Sequence, residues 1–444
     1  MEIKLKDIPE YIKKSKLFRI FIENSENEND NILINIHHNR SEININSFDD
    51  LCIYLDIYRY WMLDESIKEL FYDYVKNNNV NIEYLKTNFK ELDLIEELEY
   101  IRKFDKSSCN FAVEKGKIYL LKYLHKNRCV WDKDICSRYA TKNNNLDCLI
   151  YLHKNGCSWD KTACSNAAFN DNLDCLKYLH ENGCPWTEST CINASKKGNL
   201  NCLRYAVENK CPLNELVCIN AARNGQLECL KYAHENGCPW DEMTCENASE
   251  NGYLDCLIYA HENGCPWNVW TCSKAVLNGH LDCLKYAHKN GCDWNENVFS
   301  NACLHGHLDC LTYLYENDCP YNENAGQCAA QNGHLNILQY LNQKYYDEWY
   351  ELTCEVAAEK GHLNCLIYLH ENECPWDEGT CTCAALNGHL DCLKYAHENG
   401  CPWDEDTTEY AAKNNHLDCF HYAIDHGCPW NEDTTKNNHF DCLY

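Results

Sequence analysis

Apolar residues in this chain recur in a short pattern with helical spacing. In residues 239–265, PWDEMTCENASENGYLDCLIYAHENGC, Cys245, Ala248 and Ser249 share one face at the i, i+3, i+4 spacing. Thr244 is placed to cap that helix with its hydroxyl, and Gly252 to end it in the left-handed conformation. A second helix is predicted over Leu254–His261. Leu254, Leu257 and Ala260 point inward there, Cys256 and Tyr259 flank them, and Asp255 and Ile258 lie outside the stripe. Gly264 ends this helix. Each period therefore reads as a short helix, a tight turn, a second helix and a loop.

Tyrosines mark the period: Tyr123, Tyr151, Tyr178, Tyr205, Tyr232, Tyr259, Tyr286, Tyr313, Tyr340, Tyr368, Tyr395 and Tyr422. Nine of the eleven intervals are 27 residues and two are 28. Such regularity marks a solenoid, whose units bury their cores only against neighbours. The prediction is a mainly α protein, with a small N-terminal α+β domain over residues 1–104. A helix-turn-helix solenoid of about twelve units and a truncated last one follows over 105–444. Eight of the nine prolines sit in the loop slot, as at Pro239 and Pro266, where they stop the second helix. Nine tryptophans, Trp240 and Trp267 among them, follow that slot. They are stacking wedges between units, or else an aromatic ladder for a ligand.

The pattern breaks twice. Asn336 to Trp349 loses its helical Cys, its Gly-Cys and its Pro-Trp, which suggests a bend or weak joint. After Asp433–Thr435 most of a first helix is missing, and the chain stops at Tyr444 inside the second, so a frayed end is predicted. In the N-terminal hundred residues, 17–22, 32–36 and 42–46 read as strands. Helical patterns follow near Phe48–Trp61, Ser66–Lys76 and Tyr84–Lys103.

Charge narrows the function classes. Against 40 Lys and Arg stand 68 Asp and Glu, and a net charge of -28 repels nucleic-acid backbones and anionic membranes. The N-terminus has no apolar signal region, and no run approaches a membrane span, so a soluble cytoplasmic protein is predicted. Most of the 35 cysteines recur in three slots: Cys229, Cys256 and Cys283 in the second helix, Cys238, Cys265 and Cys292 after the glycine, and Cys218, Cys245 and Cys272 in the first helix. They read as small buried hydrophobes, reduced in a reducing compartment.

Candidate chemistry is thin. Cys229, His234 and Cys238 have metal-ligand spacing, but five helical residues at about 100° each put His234 roughly 140° around from Cys229. A cross-repeat site built from the post-glycine cysteines is the alternative. His280, His307, His334, His362, His389, His416 and His439 recur without a paired nucleophile, as framework residues do. No phosphate-cradling loop, nucleophile elbow or zinc-protease motif occurs. The reading is therefore non-enzymatic, with no catalytic, cofactor or metal residue assigned.

The run Ala385, Asn387, Gly388, His389, Leu390, continued by Asp391 to Cys401, resembles an ankyrin repeat. Ala221, Asn224, Gly225 and Leu227 repeat the match, as do Ala330, Asn332, Gly333, His334 and Leu335. The period is shorter than that family's usual 33 residues, so the projecting hairpin finger is predicted to be a clipped loop. With its Asn- and Tyr-rich composition, the pattern resembles the ankyrin-repeat proteins of giant amoeba-infecting viruses. The stretch ININSFDDLCIYLDIYRYW is similar to Skp1-like and BTB adaptor domains.

Recognition is expected where units differ. The position three after the loop Trp varies (Asp134, Thr162, Ser189, Met243, Trp270, Asn297, Gly379, Asp406), as does the residue after the first-helix Cys (Ile219, Glu246, Ser273, Glu355, Thr382). The resemblance implies that this edge lines a concave surface, with Met243, Glu246, Trp270 and Lys274 on one exposed strip. Three functions follow. One is a scaffold for a host or viral protein with a basic patch. Another is a ubiquitin-ligase substrate adaptor acting through the N-terminal domain. The third is a metal- or redox-responsive cysteine array.

Overall fold

A computed structural model describes residues 51–52, 55, 68–89, 92–132, 135, 139–345 and 349–430. The strands expected within 17–46, nearly all of the helix expected over 48–61, and the truncated unit at 433–444 lie outside the described residues. The chain forms two compact units: residues 1–194 with 199–212, and residues 195–198 with 213–444.

In the first unit, helices Lys68–Asn77, Ile82–Asn88 and Leu94–Lys103 precede the first repeat, Lys106–Glu114 and Ile118–Lys126. The single helix expected over Tyr84–Lys103 is thus two. Asn81 starts the earlier one by accepting from the Tyr84 N–H, and the Phe89 N–H closes it on the Leu85 carbonyl. These helices bury Phe71, Tyr72, Leu85, Leu94, Leu98 and Ile101. They are tied to the repeat through buried Glu97, which pairs with Lys68 and Lys117, each at 3.3 Å, and bonds the Tyr72 hydroxyl. The Tyr123 hydroxyl donates to Asp73 at 2.7 Å. Further helices of this unit include Leu146–Lys154, Lys161–Phe169, Leu173–Glu181 and Leu200–Glu208.

The second unit is a run of helical pairs, from Glu215–Arg223 with Leu227–Glu235 to Glu405–Lys413 with Leu417–Asp425. First helices pack on neighbouring first helices, and second helices on second helices. No strand occurs among the described residues. The fold is a helical ankyrin-like solenoid, with clipped loops where fingers would project.

Within the repeat at 239–265 the helices run Glu242–Glu250 and Leu254–Glu262. The cap is Asp241, whose carboxylate accepts from the Met243 N–H at 3.1 Å. Thr244, expected to cap, lies one turn inside. Its buried hydroxyl has no hydrogen-bond partner among the described residues. An ionised carboxylate two residues before the free N–H groups binds them more strongly than a hydroxyl does. Cys245, Ala248 and Ser249 are buried as the spacing requires. In the second helix Cys256, Leu257 and Ala260 are buried, while Leu254 is only half-buried. Cys256 is therefore central rather than flanking, because the second helix must press its Cys–Leu edge against both neighbours.

Gly252 takes φ +75 at the turn, and the next repeat's His280 lies over it; a Cβ there would stand 2.5 Å from His280 Nδ1. The same pairing joins Gly279 to His307 and Gly388 to His416. Near 336–349 the second helix lengthens to Leu335–Tyr345. Trp349 is nevertheless in the tryptophan register, 27 residues before Trp376. It is buried over Gly326, whose missing Cβ makes room for the indole.

Candidate partner-binding surface

In the helices Glu242–Glu250 and Val269–Leu277 the caps Asp241 and Asn268 accept from the N–H of the second residue, whose side chain is exposed. Met243, 48% exposed, and Trp270, 59% exposed, occupy this position in successive repeats. Leu216, 43% exposed, precedes them by one period, and Leu352, 48% exposed, holds the same register further on. Sequence reasoning missed Leu216 and Leu352 because it counted from the loop Trp. Repeat 213–223 has no Trp there, and Trp349 was not recognised as one. Counting from the tyrosines finds both. In the other described repeats the position carries Ser107, Thr162, Ser189, Asn297, Asn324 or Asp406, all exposed, or Gly379, half-buried. Asp134 lies outside the described residues.

One turn along, Glu246 and Lys274 are half-buried. Lys274 is committed to Glu250 of the preceding repeat at 2.8 Å, with its side chain 34% exposed. Burial pushes the Glu246 carboxyl up, against a hydrogen bond from Asn268. Glu355 is pushed up in the same way, by burial and then by Asp377 and Glu351. Beside it a shallow groove is lined by Glu323, Gln327, Tyr350, Glu351 and Leu352. Glu355 and Thr382 are half-exposed, whereas Ile219 and Ser273 are buried. That second variable position therefore reaches solvent in only some repeats.

The loop tryptophans serve the framework. Trp240 stacks on His234 at 3.8 Å and meets Tyr259 of the next repeat edge-on at 6.3 Å. His234 Nδ1 is 3.0 Å from the Tyr259 hydroxyl. Among the described residues, eight sets in which a histidine meets both a loop Trp and the next repeat's Tyr recur, from His125, Trp131 and Tyr151 to His397, Trp403 and Tyr422. This is the stacking wedge between units, with histidine as the element the sequence reading left out.

The structure does not bring Cys229, His234 and Cys238 together. Cys229 is buried in the second helix, His234 faces Tyr259, and the Cys238 thiol donates to the Asn214 carbonyl at 3.1 Å. The histidines of the turn cover glycines, and His307 Nε2 lies 3.2 Å from the Leu277 carbonyl. No helix among the described residues is long and apolar enough to cross a membrane.

Residues 272–349 match the family described as ankyrin repeats in three copies, so this stretch carries ankyrin repeats. Among solved structures, it is similar to the human ASB11 ankyrin repeat domain at 18% identity and a TM-score of 0.36. That similarity covers 42% of this chain and 98% of that one. Comparison with curated proteins gives no match.

Proposed function

We propose that this chain is a non-enzymatic protein-binding scaffold of the host-cell cytoplasm. It grips a host or viral protein through the exposed edge of its first helices, the concave side in ankyrin-like arrays. Ankyrin repeats as a class indicate protein–protein interaction. The observation that carries the finer reading is the series Leu216, Met243 and Trp270: three successive repeats expose a large apolar side chain at one register. Apolar residues scattered singly are ordinary on a surface, but a row of them rimmed by polar groups marks an interaction site. Glu246, Glu250 and Glu355 border the row and the groove, and the whole chain is acidic. The complementary partner presents apolar anchors ringed by Lys or Arg.

The test is comparative capture by the immobilised full chain and by Leu216→Ser/Met243→Ser/Trp270→Ser. Partners lost with the triple variant, weakened by added salt, and retained by the second-helix variant Lys231→Ser support this surface. All three chains must share one melting curve. Equal capture by all three rejects it.

A further inference from the structure

The first-helix and post-glycine cysteines, twenty residues apart in the same repeat, meet as pairs of thiols. Cys109 Sγ lies 3.6 Å from Cys129 Sγ. Cys164 and Cys184, Cys191 and Cys211, Cys218 and Cys238, Cys245 and Cys265, Cys272 and Cys292, Cys354 and Cys374, and Cys381 and Cys401 hold the same two slots, twenty residues apart and all buried. The second-helix cysteines hold a third slot and are also buried. Packing alone asks for a small apolar group in each slot. It does not ask for two cysteines at one fixed separation in eight repeats, nor for the sulfur-to-sulfur contact of Cys109 and Cys129.

We propose that these eight pairs are latent intra-repeat disulfides, closed by a low-molecular-weight disulfide such as oxidised glutathione. The post-glycine cysteine attacks first. Its sulfur sits at the start of its own repeat's first helix. In the Cys218–Cys238 pair, Cys238 accepts from the Cys218 thiol and from the Cys218 backbone N–H, and both favour the thiolate over the opposing effect of burial. Cys184 and Cys292 are lowered in the same way by Cys164 and Cys272. It is also the pair member at the edge of the core: Cys238, Cys265 and Cys292 are 3–4% exposed, against 0% for Cys218, Cys245 and Cys272.

The thiolate attacks one sulfur of the small disulfide and expels a small thiolate, leaving a mixed disulfide. The first-helix thiol then gives up its proton and attacks the protein sulfur of that bond, expelling the second small thiolate. Two protein thiols are oxidised to one disulfide, and one small disulfide is reduced to two thiols. At the Cys109–Cys129 separation, the sulfurs close by about 1.5 Å to reach the bonded length. The bridge staples the first helix to the loop leaving the same repeat.

Two repeats supply internal controls. Cys319 and Cys428 hold the post-glycine slot, but Phe299 and Thr408 stand where their partners would be. The folded full-length chain is incubated with oxidised glutathione, blocked with N-ethylmaleimide and mapped by mass spectrometry without reduction. Expected are Cys218–Cys238, Cys245–Cys265 and Cys272–Cys292 bridges reversed by dithiothreitol, free Cys229, Cys256 and Cys283, and no bridge at Cys319 or Cys428. Cys265→Ser removes the bridge of its own repeat alone, with circular dichroism unchanged. The proposal is overturned by unreactive pairs, by second-helix cysteines oxidising as readily, or by bridges joining different repeats or chains.

Discussion

His261 Nδ1 lies 2.9 Å from the hydroxyl of Tyr286, a residue of the next repeat, while the His261 ring stacks on Trp267 at 3.8 Å. The contact joins the end of one second helix to the middle of the next, and it is where the repeating tyrosine acquires its purpose. Tyr286→Phe removes the hydrogen bond and keeps the ring, so a loss of about 0.5–1.5 kcal/mol is expected in urea unfolding. A double-mutant cycle with His261→Ala should show positive coupling. Additivity of the two changes would mean that the pair contributes nothing as a pair.

Gly279→Ala should destabilise more than Gly291→Ala. Both residues have positive φ, +75 and +85, and each pays about 1–2 kcal/mol for a Cβ in the left-handed region. Only at Gly279 does the Cβ also meet a neighbour, 2.6 Å from His307 Nδ1; at Gly291 nothing lies within 4 Å. The order of the two urea midpoints decides this. Non-glycine residues already hold the Gly291 type of slot at Arg128, Lys210, Asp318 and Glu373.

Thr244→Val should leave stability unchanged or raise it. The Thr244 hydroxyl is buried without a hydrogen-bond partner among the described residues, and an unpaired buried hydroxyl costs on the order of 1–3 kcal/mol. Asp241→Ala, by contrast, should cost about 0.5–2 kcal/mol, because it removes the true cap. Thermal unfolding of the two variants should rank them in opposite directions from the parent.

Alkali should unfold this chain sooner than its acidic composition suggests. Burial pushes the thiols of Cys148, Cys175, Cys256, Cys283 and Cys392 up to about 12, from an ordinary 9.0. A raised folded value means that the unfolded chain gives up these protons first. Stability is then full below 9.0 and falls as pH rises toward 12. On the acid side burial lowers His288 and His397, so stability falls as pH drops below their ordinary 6.5. Urea midpoints measured across the range should peak between these windows; a flat profile through the alkaline limb would contradict the burial of the thiols.

Much of the architecture was legible because each repeat is one local unit copied many times. The 27-residue rhythm, the two helices, the left-handed Gly252 and the buried cysteine slots follow from spacing within a single period. What spacing misplaced were choices between chemically similar neighbours. Thr244 reads as the cap and Leu254 as a stripe residue with Cys256 flanking, whereas Asp241 is the cap and Cys256 is the buried residue. The candidate strip was legible at Met243 and Trp270, while the half-burial of Glu246 and the tie of Lys274 to Glu250 depend on the neighbouring helix.

Sequence alone determined that helical pairs repeat and that their polar edges vary, since periodicity is a property of the chain taken one turn at a time. Only the tertiary structure decided which groups meet across a repeat or between repeats. His261 with Tyr286, Gly279 under His307, and Cys109 with Cys129 are each twenty or more residues apart. Such contacts are set by how one pair of helices settles on the next, and no spacing within a single helix encodes that.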